Sequence, residues 1–444
     1  MKTFRLLPLI AIMGTALALP LQAQSLVDMY ESARGFDASY QSSKSLYDAT
    51  LAKADQAKAA ILPVANLSAG MSRSTEEYIP DGGSRISYAY GTENATVSAS
   101  QPLYRPGNWA SYRQGLKQVD LAQAQLAAAD QDLIIRVGQA YFDVLAAQDT
   151  LTFVQAQKTA VAEQLASAKR NFEVGTSTIT DTREAQARYD LVIAQEIAAD
   201  NDLRVKKIVL DQLVGKNDAQ PQPLAQPLVL PALLPNDADV WVQQSEGVHP
   251  SIRQAQVALE VAQLETTKAE AGHKPTLDLV ANYGTINNVD GSNTPGSPSS
   301  RVNVGTVGLS FNLPLFAGFY TRNRIRETLA LEEKARNDLE GVKRAVAQGT
   351  RTAFFGVLSG QGQVKALEAA EASSQSALDA NKLGYQVGVR INIDVLNSQS
   401  QLFQTKRDLA KARYDVLVGG LKLRQANGTL HAEDLQSINA LLVN

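Results

Sequence analysis

Cysteine is absent from this 444-residue chain, and other residues that carry familiar chemistry are scarce. Without cysteine the chain forms no disulfide, and no lipid can be attached to a cysteine at a processed N-terminus. The three histidines, His249, His273 and His431, are too widely separated to match a metal-ligand spacing. No phosphate-binding glycine loop and no nucleophile elbow occurs. These absences argue against an enzyme, and no metal and no cofactor is predicted.

Long apolar runs are lacking beyond the N-terminus. Lys2 and Arg5 precede an apolar stretch at 6–19 that is too short to span a bilayer, and Ala23 is a small residue suited to cleavage. Residues 1–23 are therefore predicted to be a signal peptide, with an N-terminal anchor helix as the alternative. The formal net charge is −3 and no basic cluster occurs, so nucleic acid is not a predicted partner.

The second half of the chain repeats the first about 212 residues later. Pro102-Leu103-Tyr104 corresponds to Pro314-Leu315-Phe316, and Phe172-Glu173-Val174-Gly175 corresponds to Tyr385-Gln386-Val387-Gly388. This period is far longer than that of solenoid repeats, so it indicates a duplicated unit. The predicted divisions are a first repeat at 24–214, a proline-rich linker at 215–249, a second repeat at 250–427 and a C-terminal segment at 428–444.

Each repeat contains one very long helix and a returning helix. From Leu103 about 68 residues read as helix, with apolar residues in strict heptad spacing from Leu133 to Phe172. A glycine turn follows at 175–179, and Thr180 or Asp181 is predicted to cap a helix that ends near Val214. In the second repeat, Asp394 is predicted to open a helix that runs to about Ala426. The chain thus predicts two antiparallel coiled-coil hairpins.

Short strands with alternating apolar and polar residues precede each hairpin. The apolar members are Ala65, Leu67, Ala69, Met71, Val97, Ala99, Leu277, Leu279, Ala281, Tyr283, Val307, Leu309, Phe311 and Leu313. This alternation is typical of a porin-like wall with apolar residues outside. Four prolines, Pro63, Pro102, Pro275 and Pro314, are predicted at the helix–strand junctions.

Four strands are too few to close a membrane barrel, and an open sheet would leave unpaired backbone groups in lipid. A barrel must therefore be shared between chains. Two chains would supply eight strands and three would supply twelve. Geometry alone does not choose between them, although eight strands leave room inside for side chains only.

The whole mature chain resembles the TolC family of outer-membrane exit ducts. The resemblance includes the signal peptide, the duplication, the junction prolines, and the segments 172–181, 384–396 and 428–435. It implies a TolC-like α+β membrane protein, with a long coiled-coil helical barrel across the periplasm. It further implies a homotrimer with a twelve-stranded transmembrane β-barrel, four strands per protomer. The implied partners are outer-membrane lipid, a periplasmic adaptor (membrane fusion protein) and an inner-membrane ABC, RND or MFS translocase.

The resemblance also implies a gate at the periplasmic tip. The matching positions are Thr180 and Asp181 on one hairpin, and Tyr385 and Arg390 on the other. Tyr385 is expected to donate a hydrogen bond to Asp181, and Arg390 to bind Asp181 or Thr180. The alternative is that Asp181 only caps a helix and that Arg390 is a solvated charge.

Two further sets of positions follow from the same resemblance. Asp394 matches a ring of carboxylates at the narrowest part of the tunnel, whereas Asn397 stands where the family often carries a second aspartate. Fewer ring charges predict weaker cation selectivity and weaker block by multivalent cations; a helix cap is the alternative role of Asp394. The glycine turns, Val174-Gly175 and Val387-Gly388, match the surface where adaptor hairpins dock.

The sequence leaves the cargo open between drugs and secreted proteins. A different class of protein, a periplasmic coiled-coil adaptor or scaffold without a channel, remains the alternative function. Such a protein would have helical hairpins but would not need four alternating strands with proline corners.

Overall fold

The computed structural model describes residues 24–443, so the predicted signal peptide lies outside the described residues. Two similar halves follow each other, each with helices, two strands and a helical hairpin. In chain order the elements are α1 Leu26–Phe36, α2 Ala38–Ala59, β1 Val64–Tyr78, β2 Ile86–Tyr104, α3 Pro106–Glu173, α4 Ile179–Val214, α5 Ala238–Val248, α6 Pro250–Glu270, β3 Thr276–Val289, β4 Ser300–Asn312, α7 Tyr320–Gln386, α8 Asn392–Ala426 and α9 Asp434–Asn439.

The four strands form one antiparallel sheet in the order β1-β2-β3-β4. They are longer than predicted, at 15, 19, 14 and 13 residues. Apolar side chains such as Leu67, Met71 and Val307 are more than 70% exposed in the single chain. The polar residues between them are exposed as well, so the assignment of apolar residues to the outer face stays a prediction. Pro102 does not end a strand as predicted. It lies within β2 beside a register shift, where a residue without an N–H donor is tolerated.

The two predicted hairpins are present, with α3 antiparallel to α4 and α7 antiparallel to α8. Helix α3 has 68 residues and starts at Pro106, three residues later than predicted, because Leu103 and Tyr104 still belong to β2. At about 1.5 Å per residue it is about 100 Å long. Most of its predicted heptad positions are buried, but Phe172 at the end is exposed. The seam of α8, with Val395 and Leu402 among its members, is buried throughout.

The hairpins pack together through α3 and α8. The largest apolar cluster lies midway along α3, where Tyr141 and Phe142 meet α1, α8 and α9. A second cluster nearer the hairpin turns joins Val161 and Leu165 of α3 to Leu396 of α8. These two clusters hold the hairpins side by side, so that both turns lie at one end of the molecule. We call this end the tip.

The segment 215–249 packs against the long helices and includes α5. The hydroxyl of Tyr141 donates to the Gln222 carbonyl at 2.9 Å, and Gln361 Nε2 donates to the Pro231 carbonyl at 3.0 Å. The segment therefore contacts both long helices, α3 and α7. The divisions at 214, 249 and 427 stay a prediction.

Candidate functional site

The two hairpin turns at the tip have the same backbone geometry. Gly175 and Gly388 adopt φ values of 76° and 77°, in the left-handed region that glycine adopts without strain. Thr176 N donates to the Asn171 carbonyl and Val389 N to the Gly384 carbonyl, both at 2.8 Å. These bonds satisfy carbonyls at the ends of α3 and α7. The equivalence of the two turns agrees with the duplication read from the sequence.

Each turn presents an apolar side chain to solvent. Val174 is 72% exposed and Val387 is 66% exposed, next to Gly175 and Gly388 respectively. Ile391 beside the second turn is also exposed. Because an apolar side chain is more stable when it is removed from water, these exposed valines are small apolar surfaces at the tip to which a partner can bind.

Asp181 belongs to the cap of α4, but it is not the residue that begins the helix. The N-cap is Thr178, which has an extended backbone, and Asp181 completes a capping box. Its carboxylate accepts hydrogen bonds from Ser177 Oγ at 2.6 Å and from Thr178 N at 3.0 Å. Burial by itself would raise the pKa of Asp181, but these bonds to the charged form hold the pKa below its usual range. Thr180 is exposed in the first turn of α4.

Tyr385 and Arg390 take partners other than those predicted. Asn171 Nδ2 donates to the Tyr385 hydroxyl at 3.2 Å, which joins the ends of α3 and α7. Arg390 Nη1 lies 3.6 Å from Asp394 Oδ2, and 58% of the arginine side chain is exposed. An exposed ion pair of this kind contributes at most about 1 kcal/mol. The four predicted gate residues therefore lie together at the tip, while their contacts within one chain are local.

Asp394 and Asn397 lie in the first two turns of α8. The helix begins at Asn392, two residues before the predicted start, and Ile391 supplies no side-chain cap. Asp394 is therefore in the first turn, where its charge favours the helix N-terminus. Asn397 Oδ1 accepts a hydrogen bond from Arg188 Nη2 of α4 at 2.7 Å. Asn397, which stands where the family often carries a second aspartate, is thus hydrogen-bonded to a cationic side chain.

A contact that sequence reasoning missed centres on Asn392. Its side chain is fully buried. Its Nδ2 donates to the Asp181 carbonyl at 3.2 Å, and its Oδ1 accepts a hydrogen bond from Gln164 of α3. One amide thus joins α8 to both helices of the first hairpin. The sequence contained one indication of this burial. Residue 392 lies three positions before the seam residue Val395, so both lie on the same face of the helix.

Within residues 24–443, no cluster of histidine, aspartate and glutamate is arranged to bind a metal ion. No helix in the same range combines the length and apolarity needed to cross a membrane.

Comparison with known proteins identifies the family. The model of the family described as outer membrane efflux protein matches twice, over residues 30–216 and 241–429. Outer membrane protein TolC of Vibrio cholerae serotype O1 is 33% identical over 98% of both chains. TolC of Escherichia coli strain K12 is 31% identical over 95% of this chain and 85% of its own. Alkaline protease secretion protein AprF of Pseudomonas aeruginosa is 29% identical over 95% and 88%.

Solved structures share the fold at lower sequence identity. The outer membrane protein VceC of Vibrio cholerae has a TM-score of 0.75 at 19% identity, covering 91% of this chain and 96% of its own. The CmeC outer membrane channel of Campylobacter jejuni has a TM-score of 0.77 at 15% identity, covering 94% and 90%. The double match, the long hairpins and the four strands together show that the chain belongs to the outer membrane efflux protein family, and that it is a non-enzymatic outer-membrane channel that extends into the periplasm.

Proposed function

We propose that three copies of the chain assemble into one exit duct, with twelve strands closing a barrel in the outer membrane and twelve long helices enclosing a tunnel across the periplasm. The sheet carries this proposal. Among the described residues β1 pairs only with β2 and β4 only with β3, which leaves two open edges. Open edges beside an apolar exposed face are prohibitive in lipid unless neighbouring copies pair with them.

The helical part supports the same assembly. Each chain supplies α3, α4, α7 and α8, and α3 alone is about 100 Å long at about 1.5 Å per residue. The apolar seams close each hairpin, while residues such as Leu191 and Phe355 remain exposed in one chain. Such outward apolar positions suit contact with neighbouring protomers.

In the proposed resting state the tip is closed by contacts between protomers. Thr180, Asp181, Tyr385 and Arg390 carry these contacts, since all four lie at the tip. Within the described residues 24–443, the Arg390 guanidinium has one ion-pair partner, Asp394, and that pair is exposed. The arginine can therefore exchange that partner for an acceptor on a neighbour at little cost.

Asp394 and Asn397 are proposed to face the narrowest part of the tunnel. Val174, Gly175, Val387 and Gly388 are proposed to receive a periplasmic adaptor that links the duct to an inner-membrane ABC, RND or MFS translocase. The exposed valines support such docking because an apolar partner would remove them from water.

The cargo is proposed to come from the partner pump, either drugs or secreted proteins. Relatives of this chain carry names of both kinds. PrtF of Dickeya chrysanthemi is a proteases secretion protein, and SepC of Pseudomonas putida is a probable efflux pump outer membrane protein.

Single-channel conductance of the purified protein in a planar bilayer tests this function. Wild type should show a small, cation-preferring conductance, and Arg390→Ala and Asp181→Ala should each raise it. Arg413→Ala is the matched control, because it breaks a 2.8 Å ion pair to Glu368 within one hairpin and away from the tip. No conductance from folded protein would overturn the channel and favour a periplasmic scaffold. Conductance that is equal in wild type and both tip variants would overturn the gate alone.

A further inference from the structure

A cavity of about 430 Å³ lies between α3, α4 and α8, next to the tip on the side towards the β-sheet. Its ionisable lining residues are Arg188 of α4 and Arg407 of α8. The other polar groups that line it are amides and one hydroxyl, and no carboxylate lines it within the described residues. The cavity is therefore positively charged, although the whole chain has a formal net charge of −3.

Neither guanidinium forms an ion pair with a carboxylate in the described residues 24–443. Arg188 Nη2 donates to Asn397 Oδ1 at 2.7 Å. Arg407 Nη2 donates to Gln404 Oε1 at 2.7 Å and its Nη1 to Gln157 Oε1 at 3.4 Å. A guanidinium has five N–H donors, so most donors of both arginines are free to bind an anion.

The surroundings of Arg407 make an anion favourable. Gln157 is only 4% exposed, and burial lowers the pKa of the Arg407 guanidinium from its ordinary value. The nearby Asp408 counters this effect, but its carboxylate accepts a hydrogen bond from Gln404 and does not line the cavity. A charge with reduced hydration binds an opposite charge more strongly than one in bulk water.

The two arginines lie at opposite ends of the cavity. Arg188 contacts Asn397 and Arg407 contacts Gln404, and these two α8 residues are seven positions apart. At 1.5 Å per residue, the two ends are about 10 Å apart. Val161 and Val192 line the cavity between them and are almost fully buried in the hairpin core. The cavity has a cation at each end, and apart from these valines and one leucine its lining between them is polar.

We propose that this cavity binds an elongated dianion, such as a linear dicarboxylate, with one acidic group on Arg188 and the other on Arg407. A single short anion would reach one arginine only. Carboxylate pairs well with guanidinium because the two planar groups can form parallel hydrogen bonds. The site is independent of whether the assembled protein conducts.

Isothermal titration calorimetry of the full-length protein in detergent, at constant ionic strength, tests the site. The probes are octanedioate, butanedioate and the uncharged 1,8-octanediol. Octanedioate should bind about tenfold or more tightly than either of the other two, because only it supplies two charges at the required spacing. Equal affinity for octanedioate and butanedioate, or for octanedioate and the diol, would overturn the proposal on wild-type protein alone.

Three variants locate the site. Arg188→Gln and Arg407→Gln should each weaken octanedioate binding about tenfold or more, which is the scale of a lost charge-assisted bond. Arg183→Gln removes the same charge from an exposed position of α4 that does not line the cavity, and it should bind as wild type does. An equal loss in Arg183→Gln would show non-specific charge attraction and overturn the site.

Discussion

Replacing Asn392 with leucine should loosen the contact between the two hairpins at the tip. Asn392 is fully buried, and its amide joins Gln164 of α3 to the carbonyl of Asp181 on α4. Leucine is similar in size but offers neither a donor nor an acceptor. The substitution therefore leaves two polar groups without their partner and keeps most of the packing.

The magnitude follows from how well those groups can be rehydrated. A fully buried group that loses its hydrogen-bond partner costs about 1–3 kcal/mol. Gln164 and Asp181 are only partly buried, so water can replace some of the lost bonds. The expected cost is then about 1–2 kcal/mol per protomer. This prediction rests on the further proposal that opening separates the two hairpins of each protomer, so that the open tip lacks the Asn392 contact. Since 1.4 kcal/mol corresponds to a factor of ten, the ratio of closed to open tips should then fall about tenfold for each protomer.

The assay is the open probability of single channels in a planar bilayer. Asn381→Leu is the matched control, because Asn381 Nδ2 donates to Ser398 Oγ at 2.6 Å within the second hairpin. It removes a hydrogen bond of the same kind without touching the contact between hairpins. An open probability of Asn392→Leu that equals wild type, or that rises no more than in Asn381→Leu, would refute the reasoning.

Three further predictions concern single contacts. Asn397→Asp combined with Arg188→Gln should raise the cation/anion permeability ratio, measured from reversal potentials, more than Asn397→Asp alone, because Arg188 lies where it would neutralise one new carboxylate. Burial raises the pKa of Asp149, whose carboxylate accepts a 2.7 Å hydrogen bond from Tyr414. The free energy of unfolding should therefore fall as pH rises through the pKa of the folded state, because Asp149 is then charged while it is buried. Asp149→Asn keeps an acceptor for Tyr414, so its melting temperature should exceed that of wild type at neutral pH, with the difference shrinking as pH falls below that pKa; a pH-independent difference would contradict this. Thr178→Ala should cost about 0.5–2 kcal/mol of unfolding free energy in chemical denaturation, with Thr178→Ser close to wild type, since the capping hydroxyl is then retained.

The elements that the sequence predicted well are those set by local periodicity. The heptad spacing in 133–168 predicted a long buried seam, and α3 has it. Alternation in 65–71 and 307–313 predicted strands, and both lie in the sheet except for Leu313, which follows the last residue of β4. Their ends were less accurate, because β2 continues through Pro102 to Tyr104 by pairing with β3. That pairing partner lies about 175 residues away in the chain, so no local pattern reports it.

The contacts of the tip residues within one chain differ from the predicted gate links, which stay a prediction. The family resemblance placed Asp181, Tyr385 and Arg390 near one another, yet each takes a different partner in one chain. Asn392 and Arg188 were missed because their role depends on which faces of α4 and α8 meet on α3. A polar residue near a helix start looks solvated in sequence, and only the neighbouring hairpin buries it.

The sequence by itself determined the duplicated architecture, the two long hairpins, the alternating strands and the family, because period, heptad and alternation are properties of contiguous residues. The tertiary structure decided which side chains from the two halves meet. The contacts of Asn392 with Gln164 and of Arg188 with Asn397 each join residues more than 200 positions apart. Their pairing depends on the axial register and rotation of packed helices, and small shifts in either would bring together other side chains.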